Sequence, residues 1–169
     1  CPLQIWSAAC STGEECFSLA MALSEMGKQK FRILGTDISQ QCVERAASGI
    51  FLKATVDRQV SPFLKQKYFL RSTGLENKDN YRIHPKLASQ IKFRQFNLVD
   101  SSLAGRVEFD FIFLRNVLIY FEADTGFEIV KRLTEYLRKG GYLVIGLSET
   151  VRDPLLLGLS RVDNSVFKK

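Results

Sequence analysis

The chain has 169 residues, 46% of them hydrophobic and 25% charged, proportions that bury a sizeable core and exclude disorder as the main state. No apolar run reaches the roughly 20 residues of a membrane-spanning helix and no charged segment precedes an apolar leader, so a soluble protein is expected. The net charge of +6 is uneven, with −1 over residues 1–49, +7 over 50–95 and 0 over 96–169, so the middle segment is either a patch for nucleic acid or an acidic protein surface, or a solvated polar face.

In chain order, the run from Gln4 to Cys10 predicts a strand, small residues to Gly13 a tight loop, and Glu14 to Met26 a helix with Phe17, Ala20, Met21 and Leu23 at helical spacing. Because the chain opens on Cys1, immediately before an apolar strand, it is expected to be part of a longer protein. The four cysteines (Cys1, Cys10, Cys16, Cys42) have no CxxC spacing, which fits reduced thiols in a cytoplasm. Cys10 and Cys16 are expected to be buried spacers, with a redox pair as the alternative. Arg32 to Ile38 predicts a second strand, followed by a helix that Ser39 caps and Gly49 ends. This is a βαβ unit, and it puts the Gly13 loop and Asp37 at one crevice.

Residues 50–90 interrupt the rhythm as an insertion, with a short helix from Ser61-Pro62 to Tyr68. Tyr68–Arg71 and Tyr81–His84 are expected to form a hairpin around the polar turn-rich stretch 71–80. Strands are then predicted over Ile91–Leu98, Phe109–Leu114 and Tyr142–Leu147. A helix is predicted over Ala123–Leu137, stopped by Lys139-Gly140-Gly141, and a last strand over Ser165–Phe167, antiparallel to its neighbour.

Four places can carry chemistry. The small residues up to Gly13 leave free N–H groups at a helix start, yet there is one glycine rather than GxGxxG and no Lys follows, so phosphate is poorly served. Glu14 and Glu15 suit a cationic ligand instead, or simply favour a helix N-terminus. Asp37 stands 24 residues after Gly13, where a carboxylate accepts from ribose hydroxyls of NAD or S-adenosylmethionine alike. Asn97 and Leu98 end a strand and offer an amide and a backbone edge for adenine. Arg115 and Asn116 end a buried strand, followed by Tyr120, and present a carboxylate fork, an amide and a hydroxyl. Ser148-Glu149 lies near the same edge without an assignable role. His84 is the only histidine and lies in the insertion, which excludes a His-dependent triad and a His-rich metal site; no metal is expected.

These motifs together resemble the CheR-type chemotaxis methyltransferases, which methylate glutamates on bacterial chemoreceptors. The matching pieces run in the family's order: Trp6-Ser-Ala-Ala-Cys-Ser-Thr-Gly-Glu-Glu15, Gly35-Thr-Asp-Ile-Ser39, Lys67-Tyr-Phe69, Phe93 with Asn97-Leu98, Phe109-Asp110 with Arg115-Asn-Val-Leu-Ile-Tyr-Phe121, and Gly140-Gly-Tyr-Leu143 with Gly146-Leu-Ser-Glu149. The resemblance implies an α/β fold of the class I S-adenosylmethionine-dependent methyltransferases, Rossmann-like. Its sheet would be mostly parallel with helices on both faces, and residues 50–90 would be a small antiparallel β-subdomain inserted in one catalytic domain over 1–169.

The resemblance also implies S-adenosylmethionine as cofactor and S-adenosylhomocysteine as product. Glu14 would face the methionine end, Asp37 the ribose, and Asn97, Leu98, Arg115 and Asn116 the rest of the pocket. Arg115 and Tyr120 would border the incoming glutamate. Partners would be chemoreceptor cytoplasmic helices or tails, met by the basic 50–95 segment, with neither nucleic acid nor membrane insertion involved. A non-catalytic module that binds the cofactor or docks a partner is the alternative; a nicotinamide-dependent oxidoreductase is disfavoured by the absent GxGxxG. Two departures stand out. Cys16-Phe17 replaces the family's Pro-Tyr, and the family's N-terminal helical domain and the segment before Trp6 are absent, so weakened cofactor binding is expected of this chain alone.

Overall fold

The computed structural model describes residues 1–28, 30–71, 79–104 and 107–169. β1 (Leu3–Ala8) alternates in the manner of a strand covered on both sides. Trp6 and Ala8 enter one apolar cluster and Ile5 the other. Its neighbours are β2 (Phe31–Asp37) and β7 (Phe109–Leu114), both parallel to it. Beyond these lie β6 (Ile91–Gln95) beside β2 and β8 (Leu137–Ile145) beside β7, then β10 (Val166–Lys168) and β9 (Ser160–Asp163). The order is β6-β2-β1-β7-β8-β10-β9, parallel except that β10 runs antiparallel to β8 and β9. The strand order reverses between β1 and β7, and open α/β sheets hold ligands beyond the carboxyl ends of strands at such a point.

Helices cover both faces. α1 (Glu14–Glu25) buries Cys16, Phe17, Ala20 and Met21 against the Ile5 side. α6 (Ala123–Tyr136) buries Ile129, Val130 and Leu133 against the Trp6 side. Trp6 is fully buried, donates from Nε1 to Thr36 Oγ1 at 2.9 Å, and stands among the rings of Phe96, Phe109 and Tyr136. That bond pins β1 to β2, and the ring contacts extend the tie to β7 and α6. α2 (Gln40–Ser48) is capped by Ser39, whose Oγ accepts from the Cys42 N–H, and ends at Gly49, as the sequence predicts. No helix among the described residues is long and apolar enough to cross a membrane.

The insertion is a three-stranded antiparallel sheet, β3 (Ile50–Leu52), β5 (Asn80–Ile83) and β4 (Phe69–Arg71), with β5 central. The expected β4–β5 hairpin is present; residues 72–78 of its turn lie outside the described residues. β3, α3 (Lys53–Gln59), α5 (Pro85–Ala88) and β9 lack a sequence signal strong enough to predict them, whereas α4 (Pro62–Tyr68) matches. Glu25 of α1 accepts from Lys67 Nζ at 2.7 Å and from Tyr68 Oη at 2.5 Å, tying α1 to α4. The Lys67 ammonium holds the Glu25 carboxyl below its ordinary range.

Three strands differ from expectation by two residues or more, the other predicted elements by one at most. β1 stops at Ala8 rather than Cys10 because Ala9 (φ 73°) and Ser11 (φ 49°) turn into the left-handed region. β6 stops at Gln95, since Asn97 begins a turn closed by Ser101 N–H to Asn97 C=O. Lys139-Gly140-Gly141 does not separate helix from strand. β8 begins at Leu137 directly after α6, residues 138–141 bulge out of the ladder, and Tyr142 resumes pairing with Phe111.

Candidate functional site

The carboxyl ends of β1, β2, β6 and β7 enclose a crevice of about 480 Å³. Asp37 closes β2 at its rim. Its Oδ2 accepts from the Ser11 N–H at 2.9 Å and its Oδ1 from the Ser39 N–H at 3.0 Å, so one carboxylate joins the loops after β1 and β2. A carboxylate has about four lone-pair sites, so acceptors remain for ligand hydroxyls. The loop that delivers Ser11 turns on Gly13, at φ 93°; a Cβ there would stand 2.9 Å from the Ala46 side chain, so both the turn and the approach of α2 require glycine.

Across the crevice stands the turn after β7. Arg115 and Asn116 are exposed, Asn116 in the left-handed region at φ 57°, and a 3₁₀ turn at Leu118–Tyr120 leaves the Tyr120 side chain 79% exposed at the rim. Arg115 Nη1 lies 3.0 Å from Glu15 Oε2, and Glu15 Oε1 accepts from Ser7 Oγ at 2.8 Å. Asn97 spends its amide locally, Oδ1 accepting from the Val99 N–H at 3.0 Å and Nδ2 donating to Asp100 at 2.8 Å. The carbonyls of Leu98 and Val99 accept from Arg132 of α6. What this segment offers the crevice is therefore the remaining backbone edge and the apolar Leu98.

Asp37, Asn97, Leu98, Arg115, Asn116 and Tyr120 thus line one cavity. Glu14 is placed elsewhere. Its carboxylate accepts from Thr12 Oγ1 at 2.7 Å, and it borders a separate cavity of about 240 Å³ between α1 and the insertion. Glu15, its neighbour, is the one joined to the crevice through Arg115. His84 caps α5, its Nδ1 accepting from the Lys86 N–H at 3.2 Å, outside the crevice. Cys10 and Cys16 are buried free thiols. The Cys10 hydrogen bond, then burial, pushes the Cys16 thiol far up, so it stays protonated and a poor nucleophile, as a spacer does.

Sequence reasoning missed Ala9, Ser11, Ile38, Phe96, Val117 and Phe121 as lining residues, and assigned Glu149 no role. Asp37 was legible because it ends a strand; Ile38 and Phe96 look like any apolar residue until the pairing of β2 with β6 brings the two strand ends together at the crevice. The residues present fit S-adenosylmethionine. Ile38, Phe96, Leu98, Val117 and Phe121 give apolar walls for a purine and Asp37 an acceptor for ribose hydroxyls, while Glu15 stands behind Arg115 as an anion beside the crevice.

Residues 1–161 match the family model described as CheR methyltransferase, SAM binding domain. Chemotaxis protein methyltransferase 1 of Pseudomonas aeruginosa is 37% identical over 158 residues, 89% of this chain and 56% of that protein. Chemotaxis protein methyltransferase of Listeria monocytogenes is 37% identical over 169 residues, 99% of this chain and 61% of that protein. The chain therefore spans little more than half the length of these relatives. Among solved structures, a SAM-dependent methyltransferase from Methanosarcina mazei superposes with a TM-score of 0.51 at 20% identity, covering 85% of this chain and 51% of that one. N-methyltransferase NodS from Bradyrhizobium japonicum, in complex with S-adenosyl-l-homocysteine, gives 0.50 at 16% identity, covering 85% and 51%. At those identities the structures speak to the fold alone, which is that of S-adenosylmethionine-dependent methyltransferases.

Proposed function

The chain belongs to the CheR methyltransferase family, as its SAM-binding domain, and from that premise we propose that it transfers methyl groups to glutamate carboxylates of chemoreceptors, giving glutamyl methyl esters. The observation that carries the proposal is the convergence of Asp37, Asn97–Leu98, Arg115–Asn116 and Tyr120 on one crevice. Bound there, S-adenosylmethionine supplies a methyl group made electrophilic by the sulfonium. Asp37 accepts from the ribose hydroxyls, Ile38, Phe96 and Leu98 enclose the purine, and Asn116 borders the methionine portion. Glu14 accepts from Thr12 and borders another cavity, and Glu15, tied to the crevice through Arg115, is the anion we assign to the cationic end in its place.

The chemistry asks little of a proton-transfer group. A glutamate side chain has a reference pKa of about 4.3, so at neutral pH the acceptor is already a carboxylate and no general base is needed. The protein must align an oxygen with the methyl and exclude water from it. Arg115 and Tyr120 stand at the mouth to do so. An arginine that bound the carboxylate without restraint would stabilise the ground state; here Glu15 already holds one guanidinium nitrogen at 3.0 Å, so Arg115 orients the carboxylate rather than neutralising it.

The partner surface is the exposed basic side of the insertion and its flank, in the cytoplasm. Lys53 and Lys65 are paired with Asp57, and Lys67 with Glu25, while Arg58, Arg71, Arg82 and Lys86 are exposed and suit an acidic receptor segment.

Calorimetry with S-adenosylhomocysteine and with NAD(H) tests the cofactor. Binding of the first alone is expected, and binding of NAD(H) alone would overturn the reading. Transfer of labelled methyl groups to receptor membranes by the intact protein tests the reaction. An Arg115→Ala, Tyr120→Phe double variant is expected to lose most of it, and unchanged transfer by that variant would remove both residues from the mechanism.

A further inference from the structure

We infer that Glu149 is a positioning residue for the crevice, its carboxylate acting as the internal anion around which the turn after β7 is wound. The inference rests on the crevice being the cofactor and acceptor site. Glu149 is 5% exposed, and among the described residues no ion pair reaches it. Its carboxylate instead accepts four backbone N–H bonds. Oε1 takes those of Val117 and Leu118 at 2.7 Å each, and Oε2 takes those of Asn116 at 2.8 Å and Gly146 at 2.6 Å. Three consecutive N–H groups aimed at one point form a concavity that favours an anion. Bonds to an ionised acceptor are about twice as strong as neutral ones.

The strand ends are shaped around this group. The Glu149 N–H donates to the Gly146 C=O at 3.0 Å, which folds the carboxylate back over the end of β8. A Cβ at Gly146 would lie 2.6 Å from Glu149 Oε2 and 3.1 Å from the Asn116 nitrogen, so that position keeps the carboxylate and the turn in contact. Asn116 adopts φ 57°, a left-handed turn conformation that asparagine accommodates more readily than most residues with a side chain. Arg115 and Asn116 are themselves exposed, so packing does not place them. Val117 anchors the turn in the apolar core, and Glu149 gathers the backbone N–H groups on either side of it. From the two follow the positions of Arg115 and Asn116 on one wall and Tyr120 at the mouth.

A residue that merely stapled β7 to β8 would change stability and leave ligand affinity alone; a positioning residue changes both. Glu149→Gln keeps the size but removes the charge and turns an N–H₂ group toward backbone donors. S-adenosylhomocysteine affinity, read by calorimetry, is expected to fall about tenfold or more, the loss of one charge-assisted bond's worth of placement. In the wild-type protein without ligand, the amides of Asn116, Val117 and Leu118 are expected to be protected from hydrogen exchange already. A folded Glu149→Gln protein that binds within twofold of wild type overturns the inference. If that variant does not fold, Glu149→Asp, which keeps the charge and shortens its reach, decides: S-adenosylhomocysteine affinity lowered about tenfold or more in the folded protein supports the inference, and affinity within twofold of wild type overturns it. Wild-type protein that binds no S-adenosylhomocysteine would sink the proposed site and the inference together, whereas equal binding by both proteins sinks the inference alone.

Discussion

Asp37 is a residue whose structural and proposed ligand roles share one carboxylate. It accepts the N–H groups of Ser11 and Ser39, one on each oxygen, and those bonds set the distance between the loops after β1 and β2. In Asp37→Asn one oxygen is replaced by a donor that faces a donor. The fold is expected to persist with a loss of about 1–3 kcal/mol, and S-adenosylhomocysteine affinity to fall at least as much, measured by melting and calorimetry on the same protein. The Glu15–Arg115 pair makes a second, more specific expectation. With Glu15→Gln, Arg115 is released to grip the acceptor carboxylate, so KM for receptor should fall together with kcat, the pattern of ground-state stabilisation. A rise in KM with kcat unchanged would show that Glu15 does not restrain Arg115 in this way. Sequence reasoning singled out Arg115, Asn116 and Tyr120 because a polar block ending a buried strand is unusual. The family resemblance chose Glu14 over Glu15 for the methionine end, while the residues alone do not tell them apart, since both open α1 and only the surroundings, Thr12 for one and Ser7 with Arg115 for the other, differ.

At the scale of elements, α3 and α4 are joined by Asp57, which bonds Lys53 Nζ and Lys65 Nζ at 2.5 Å each. The lysine ammonium groups, Lys53 first, lower its carboxyl from the ordinary 3.8 to about 2. A carboxyl whose folded value is depressed contributes stability in full above its ordinary value, and that contribution is lost as protons bind the folded form. The α3–α4 junction is therefore expected to loosen as the pH falls from about 4 to about 2 and to be indifferent above that window. Hydrogen exchange of α3 and α4 amides during acid titration reads this directly; Asp57→Asn should show the loosened state at neutral pH and no transition in the window. Exposure keeps the effect modest, because solvent screens the pair. Elsewhere, element boundaries followed local signals where a cap or a proline marks them, as at Ser39, Gly49 and Pro62. They failed at β8, where Gly140 and Gly141 serve a bulge inside a strand rather than the end of a helix. Glycine allows both, and pairing with β7 chooses between them.

For the molecule as a whole, charge and crevice separate. The basic excess belongs to the segment that carries the insertion, and the crevice proposed for the cofactor lies at the sheet's carboxyl edge, lined by uncharged residues except Asp37 and Arg115. Docking of a receptor on the exposed arginines of the insertion, as proposed, should weaken as salt rises from about 0.05 to 0.5 M, since exposed charges are screened beyond about 10 Å at 0.1 M and that distance shrinks as salt is added. S-adenosylhomocysteine affinity should move little over the same range. Parallel titrations separate the two surfaces, and a receptor affinity insensitive to salt would exclude the basic face as the docking surface. The sequence by itself determined the βαβ rhythm, the glycine turn before α1, the carboxylate at the end of β2 and the polar block after β7. Each of these is written in neighbouring residues, through side-chain period, caps and the conformational freedom of glycine. Tertiary structure alone decided that Glu15 rather than Glu14 joins the crevice, by a contact spanning 100 residues, and that a buried Glu149 winds the turn carrying Asn116 from 33 residues away. Such pairs leave no local signature, because their energy exists only once the sheet has brought the strand ends together.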